Sequence, residues 1–387
     1  MLSTGGEVDT SGEPLGEPGF TASEPSMAEQ DLDAKQLMRE LSRYREPSNR
    51  RSSFELAITV VPYLTILAAM FALVEAGYWL GFLLIIPAGG FLLRLFLIQH
   101  DCGHGAFWPT RSANDWTGRM LGVLTFTPYE CWRRSHALHH AGTGNLDERG
   151  YGDVDTVTVA EFAEWSKGRQ FLYRLYRHPI TLLGFGPTYL FLLRNRLPVG
   201  LMTAGWKYWA SAIGTNLAIL AAAAGISAMV GVGTFLAVKL PIVVFAATVG
   251  VWLFYVQHQF ENARWERDSD WSFHDAALWG SSHLDLPPVL RWFTANIGAH
   301  HIHHLVSRIP FYRIGEVLRD HPRLVEANRL TIADTWRTFG LALWDADERR
   351  MVSFATARSR QDARSQTVAA PLARAFPDET AGSVNFA

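Results

Sequence analysis

The sequence predicts an all-α membrane protein: four transmembrane helices in two hairpins, with a cytosolic helical cap that carries clustered histidines. Three observations predict it. Apolar residues gather in four long runs, Lys and Arg gather beside one side of those runs, and most of the fourteen histidines fall in short clusters expected on that same side. Composition alone decides little, because 48% hydrophobic residues at a formal net charge of −2 would also suit a soluble protein of two or three domains. The distribution decides, since each run has the length of about 20 residues that a bilayer core requires.

The runs extend over about Leu56 to Ala76, Tyr78 to Leu97, Tyr208 to Val230, and Thr234 to Gln257. The first and second are separated by almost nothing, as are the third and fourth, so each pair is expected to form a hairpin. Arg94 and Lys239 lie near run ends, where long side chains reach headgroups. Lys35, Arg39, Arg43, Arg45, Arg50 and Arg51 precede the first run, whereas the turns near Gly77 and Gly231 carry no basic residue. Positive charge stays inside, so both termini and the region from about Gln99 to Lys207 are expected in the cytoplasm. Trp79, Trp206, Trp209 and Tyr255 are expected to anchor the interface. Gly184 to Leu193 is too short to span, is interrupted by Pro187, and reads as an interfacial or re-entrant helix. The expected organisation is a disordered tail over 1–50, a membrane domain over 51–350 and a flexible tail over 351–387. Met1 to about Gln30 is rich in Gly, Ser, Pro and Glu and resembles neither a signal nor a transit peptide.

The histidines carry the chemistry. His100 and His104 close the second run at a spacing of four, which puts both rings on one helical face. His136, His139 and His140, and then His300, His303 and His304, repeat the pattern H-x-x-H-H, whose positions converge on one stripe of a helix. His258 ends the fourth run as His100 ends the second, so the two rings are expected at one depth. Nine imidazoles exceed what one ion holds, and a two-metal site is implied. An all-imidazole shell fits redox-active iron better than Mg or Ca, while zinc remains possible on ligand type alone. Asp101 and Glu261 are candidates to accept the second N–H of ligand rings, with Asn145 and Asp147 behind them. His301 lies off the stripe, and His178, His274, His283 and His321 read as surface or structural. Cys102 and Cys131 make no paired motif, so neither a disulfide nor a thiolate ligand is expected.

The motifs HDCGH at 100–104, WRRSHALHHAGTGN at 132–145, HQFE at 258–261 and HHIHHLVSRIPFYR at 300–313 resemble the three histidine boxes of the membrane fatty acid desaturases, and most closely their acyl-lipid Δ12 or ω6 type. The resemblance covers about residues 50 to 345. It implies two non-haem irons, O2 as co-substrate, a hydrophobic tunnel for the acyl chain, and removal of two hydrogens from a lipid-linked chain in a bacterial inner membrane. Family members place a water-holding Asn near the fourth helix, where this chain has Phe254. No HPGG haem motif or iron–sulfur Cys framework occurs, so a separate donor of ferredoxin or cytochrome b5 type is expected, and no nucleic acid. Arg133 and Arg134 are candidates to meet a headgroup or an acidic redox partner.

Three other readings share some of these features. The same histidine scaffold supports hydroxylation of alkanes, lipids or carotenoids, but the HDCGH box and the form of the third box favour desaturation. A metal transporter would keep ionisable residues near the bilayer midplane, where these runs have no Asp, Glu or His. A zinc hydrolase would want a general base beside the metal, and no HExxH occurs.

Overall fold

The computed structural model describes residues 33–150 and 152–360. Most of the expected N-terminal tail and residues 361–387 lie outside them. Among the described residues, regular structure is present before residue 51, where the sequence predicts a tail: α1 (Ala34–Leu41) buries Ala34, Leu37 and Leu41 on one face. Just past it, Tyr44 Oη donates to Asp320 Oδ2 at 2.5 Å, so this segment is docked. At the other end, packed chain continues past 350 as a strand and a helical stretch over 354–360.

Three described stretches are long and apolar enough to cross a membrane by length and composition: Asn49–Glu75, Trp79–His104 and Trp206–His258. The first is α2 (Asn49–Glu75), capped by the Ser48 hydroxyl, which accepts from Arg51 N. The chain reverses at Gly77, whose φ of 79° is open to glycine at little cost. A 3₁₀ segment, Trp79–Leu84, then leads into α3 (Ile85–His104), closed by left-handed Gly105. Two amphipathic helices follow, α4 (Arg111–Leu124) and α5 (Tyr129–Gly142).

After a short strand, β1 (Val157–Thr158), come α6 (Val159–Glu164) and α7 (Lys167–Arg177). The interfacial segment is a π-helical turn, Ile180–Phe185, running into α8 (Gly186–Leu192). Pro187 sits in the first turn of α8, where the π-helical turn gives way to α-helix, so it interrupts the regular helix as expected.

α9 (Trp206–His258) is a 53-residue element broken at Gly231, where φ 75° and ψ 152° are not helical. A straight helix of that length would measure about 80 Å, against a hydrocarbon core of about 30 Å. Its two ends share one layer. Ser211 Oγ accepts from Glu130 N at 3.2 Å, and the His258 ring lies 4.7 Å from that of His139. The break lies beside the other turn, because Thr234 Oγ1 donates to Glu75 Oε1 at 2.5 Å.

The cap adds α10 (Phe273–Trp279), α11 (Pro288–Phe293), α12 (His300–Leu305) and α13 (Ile314–Asp320). It also holds two small sheets that an all-α expectation omits. One pairs β2 (His283–Leu284) with β3 (Arg329–Leu330) in parallel. The other sets β4 (Leu341–Asp345) between parallel β1 and antiparallel β5 (Arg350–Ser353). Two-residue strands are too short to leave a period of two in the sequence.

Arg94 and Lys239 do not reach for headgroups. Arg94 is 1% exposed, with NH2 2.6 Å from Glu55 Oε2, Nε bonded to Thr59 and the guanidinium 4.1 Å over the Trp292 ring. Lys239 Nζ donates to Tyr63 Oη at 2.6 Å. Polar partners on α2 satisfy both cations inside the bundle, which replaces the need to reach water. Tyr255 is likewise no anchor, being buried with its hydroxyl donating to the Thr338 carbonyl.

Candidate metal centre and adjoining cavity

All nine singled-out histidines come together, in two groups. His100, His104, His136, His140 and His303 form one, and His139, His258, His300 and His304 the other. The repeated H-x-x-H-H pattern explains how two helices serve both. On α5 the i and i+4 rings, His136 and His140, face the first group, while the i+3 ring, His139, faces the second. On α12 the assignment is reversed: His300 and His304 join the second group and His303 crosses to the first. The two helices therefore interlock, and His140 stacks on His304 with ring centres 4.1 Å apart.

The spacing of the nitrogens tests whether metal fits. Nε2 of His136 lies 3.0 Å from that of His100 and 3.1 Å from that of His140, which is 3.0 Å from that of His303. In the second group the separations are 3.0 Å for His258 and His300, 3.1 Å for His300 and His304, and 3.3 Å for His139 and His304. Ligand nitrogens about 2.1 Å from an ion at right angles would be about 3.0 Å apart, and at tetrahedral angles about 3.4 Å. Most of these neighbouring pairs are spaced as ligands at near-90° angles would be, a geometry that five- and six-coordinate iron accepts. His104 Nε2 is buried with no hydrogen-bond partner among the described residues, an orphan that an ion would satisfy.

Burial, followed by the neighbouring imidazoles, holds His136, His140, His300, His303 and His304 well below the usual imidazole range. They stay neutral, the form that offers a lone pair to metal.

The residues behind the rings only partly match expectation. Asp101 Oδ1 is 3.5 Å from His100 Nδ1, and its other oxygen accepts from Phe311 N at 2.8 Å, tying the end of α3 to the chain after α12. Glu261 departs from expectation: it pairs with Arg350 at 2.9 Å. The helix ends at His258, so Glu261 no longer lies one helical turn away, and His258 Nδ1 sits 3.3 Å from the Gly280 carbonyl instead. Asn145 donates to Asp268, and Asp147 pairs with Arg267.

The carboxylate that sequence reasoning missed is Asp153, whose Oδ1 lies 2.5 Å from His139 Nδ1. Its loop is braced by Arg149 on Glu161 at 2.6 Å and Arg267 on Asp147 at 2.5 Å. The one signal in the sequence is an acid that follows two closely spaced glycines after the second box, Gly150-Tyr151-Gly152-Asp153.

Other exclusions match the geometry. His301 Nε2 donates to the Leu324 carbonyl at 2.9 Å, and His283 Nδ1 lies 2.6 Å from the Val325 carbonyl. Both cysteines are free, and burial pushes the Cys131 thiol up to about 11, so it is no thiolate. Arg133, expected as a candidate for a headgroup or an acidic redox partner, instead pairs with Asp115 and Glu130 within the fold.

A cavity of about 240 Å³ opens from the centre toward the long helices. His100, His136, His139 and His300 line its inner end; Leu92, Phe96 and Leu97 of α3 and Val243, Ala247, Gly250 and Phe254 of α9 line its walls. Trp132 stacks on His136 at 4.6 Å, and a Cβ at Gly103 would fall 2.5 Å from its indole, which is why the first box needs glycine there. Phe254 covers the second group, with ring centres 5.1 Å from both His139 and His258.

Membrane-length helices, an apolar cavity and an all-imidazole centre at its end define a class of membrane enzyme that acts on apolar chains. The chain belongs to the fatty acid desaturase family, whose model matches residues 76–336. It is 38% identical to a fatty acid desaturase of Bacillus subtilis over 83% of this chain and 90% of that one. An sn-1 acyl-lipid omega-3 desaturase (ferredoxin) of Synechocystis sp. is 28% identical over 66% of this chain and 71% of its own length. An sn-1 oleoyl-lipid 12-desaturase of Anabaena variabilis is 26% identical over 73% and 80%.

Proposed function

We propose that this desaturase acts on an acyl chain carried by a membrane lipid, at a Δ12 or ω6-like position, with two non-haem irons held by the nine histidines. The observation that carries the reading is the convergence of all nine imidazoles in two groups, four of the rings lining an apolar cavity. His100, His104, His136, His140 and His303 would hold one ion, and His139, His258, His300 and His304 the other. Two irons, when bound, supply O2-dependent oxidation, in which O2 takes two electrons from the C–H bonds of adjacent methylenes and two from a separate donor.

The chain's own residues set the conditions. Apolar walls from α3 and α9 hold a straight chain in register, and Trp132 and Phe254 keep water from the reacting carbons. Asp153 sets a carboxylate 2.5 Å from His139 Nδ1, on the side of the ring away from the metal, and Nε2 is then the donor atom. The relatives' names supply lipid-linked substrates and, in one case, ferredoxin as donor, which supports a separate donor of ferredoxin or cytochrome b5 type here.

The same reading takes α2, α3 and the two halves of α9 as four spans in a bacterial inner membrane, with both termini and the centre in the cytoplasm. The break at Gly231 and the basic residues before α2 support it. The domain expected over 51–350 then takes in the docked α1 before it and the packed chain up to 360 after it.

Gas chromatography with mass spectrometry of fatty acids from a host expressing the protein, beside one expressing His139→Ala, tests the reaction. A new double bond with the intact protein only is expected. A hydroxylated product, or an unchanged profile with iron and reductant supplied, would refute it.

A further inference from the structure

Among the described residues lining the cavity, Arg194 is the only Lys or Arg, and none is Asp or Glu. The cavity thus has apolar walls, a floor of imidazoles and one permanent charge, on an exposed side chain. The local fold shows that this charge is not spoken for. Arg194 opens a 3₁₀ turn, Arg194–Arg196, at the end of α8. Arg196 pins that turn, donating to the Phe126 carbonyl at 2.5 Å and to Asn216 Oδ1 at 2.7 Å, while Asn216 returns a bond to the Arg196 carbonyl. Asn195 also donates to the Phe126 carbonyl. Arg194, between these committed neighbours and α8, makes no side-chain hydrogen bond or ion pair among the described residues.

The approach to this turn is apolar and outward-facing. Phe185, Tyr189 and Leu193 are 73%, 57% and 64% exposed, the pattern of a segment lying at a lipid interface. A molecule entering there would slide an apolar tail toward the histidines and leave its polar end beside a guanidinium.

We infer that Arg194 forms the recognition site for the head of the substrate, and that this head carries an oxyanion: the phosphodiester of a membrane glycerolipid, or the carboxylate or phosphates of a free or carrier-bound acyl chain. The inference deepens the desaturase reading and rests on it for the identity of the tail. A guanidinium pairs with phosphate or carboxylate through two parallel N–H bonds, so geometry as well as charge is used. A neutral diacylglycerol offers it only ester and hydroxyl oxygens, without the charge or the paired oxygens of an oxyanion.

The test uses full-length, metal-loaded protein purified in a neutral detergent, comparing the natural chain with Arg194→Gln and Arg194→Lys. Equilibrium binding of three radiolabelled probes is measured by flow dialysis: oleoyl phosphatidylglycerol, dioleoylglycerol and oleoyl-CoA. Arg194→Gln is expected to weaken phosphatidylglycerol binding about tenfold, the worth of one charge-assisted pair, and to leave dioleoylglycerol binding and iron content unchanged. Arg194→Lys should recover part of the loss. An effect confined to oleoyl-CoA would keep the site and assign the oxyanion to a carrier-bound chain. Equal affinities for all three probes in both proteins would overturn the inference and leave Arg194 an interface anchor. Turnover of the same lipids separates this from the parent reading: charge-dependent binding without any desaturated product would refute desaturation and leave the site standing.

Discussion

His139 shows how much of this centre depends on single contacts. Its Nδ1 faces Asp153 at 2.5 Å, so Asp153→Asn should lower iron retention after dialysis against a chelator by about 10- to 100-fold, without loss of the folded protein. Glu261→Gln provides the contrast. Glu261 is partly exposed and paired with Arg350, so its loss should leave iron and activity intact and cost at most about 1 kcal/mol. A larger effect of Glu261→Gln than of Asp153→Asn would reverse the assignment. Gly103→Ala forces Trp132 away from His136 and should cost about 1–3 kcal/mol in thermal unfolding, with lower activity.

These residues also mark where the sequence stops being legible. The nine ligand candidates were readable because metal chemistry demands one residue type at helical spacing, and His100 with His104 or His300 with His303 and His304 declare themselves. Asp153 was not, because a loop residue acquires its partner only when the chain closes on itself. Glu261 misled for a related reason: the helical spacing that made it a candidate ends with the helix at His258.

At the scale of elements, the apolar runs placed the long helices to within seven residues at their ends, yet they gave no sign that Arg94 and Lys239 would be satisfied inside the bundle. The Arg94 cluster makes a prediction of unequal costs. Glu55 also pairs with Arg51 at 2.6 Å, so Arg94→Met leaves Glu55 with a partner. Glu55→Leu leaves the Arg94 cation buried without a carboxylate and should cost about 3–5 kcal/mol. The double variant should recover much of that. Thermal unfolding in detergent checks the order; equal costs for the two single variants would show that the pair is not the buried interaction described. The small sheets escaped the sequence because β1 and β2 are two residues long and gain their register from distant partners, Leu343 and Trp344 for β1.

For the whole molecule, the break at Gly231 beside the Gly77 turn puts two loops on one side and the histidines on the other. Val232→Cys should react with a membrane-impermeant maleimide in intact cells, and Ser269→Cys only after lysis. The reverse pattern would contradict the proposed orientation, and reaction at both sites in intact cells would contradict the four-span arrangement.

Nine histidines, split five and four, are proposed to hold two irons. Metal analysis with Mössbauer spectroscopy on the purified full-length protein, beside His104→Ala and His258→Ala, tests it most directly. Two irons per chain in the intact protein, and a loss concentrated in one of two iron sites in each variant, is the predicted result. One metal per chain, or zinc in place of iron, would contradict it.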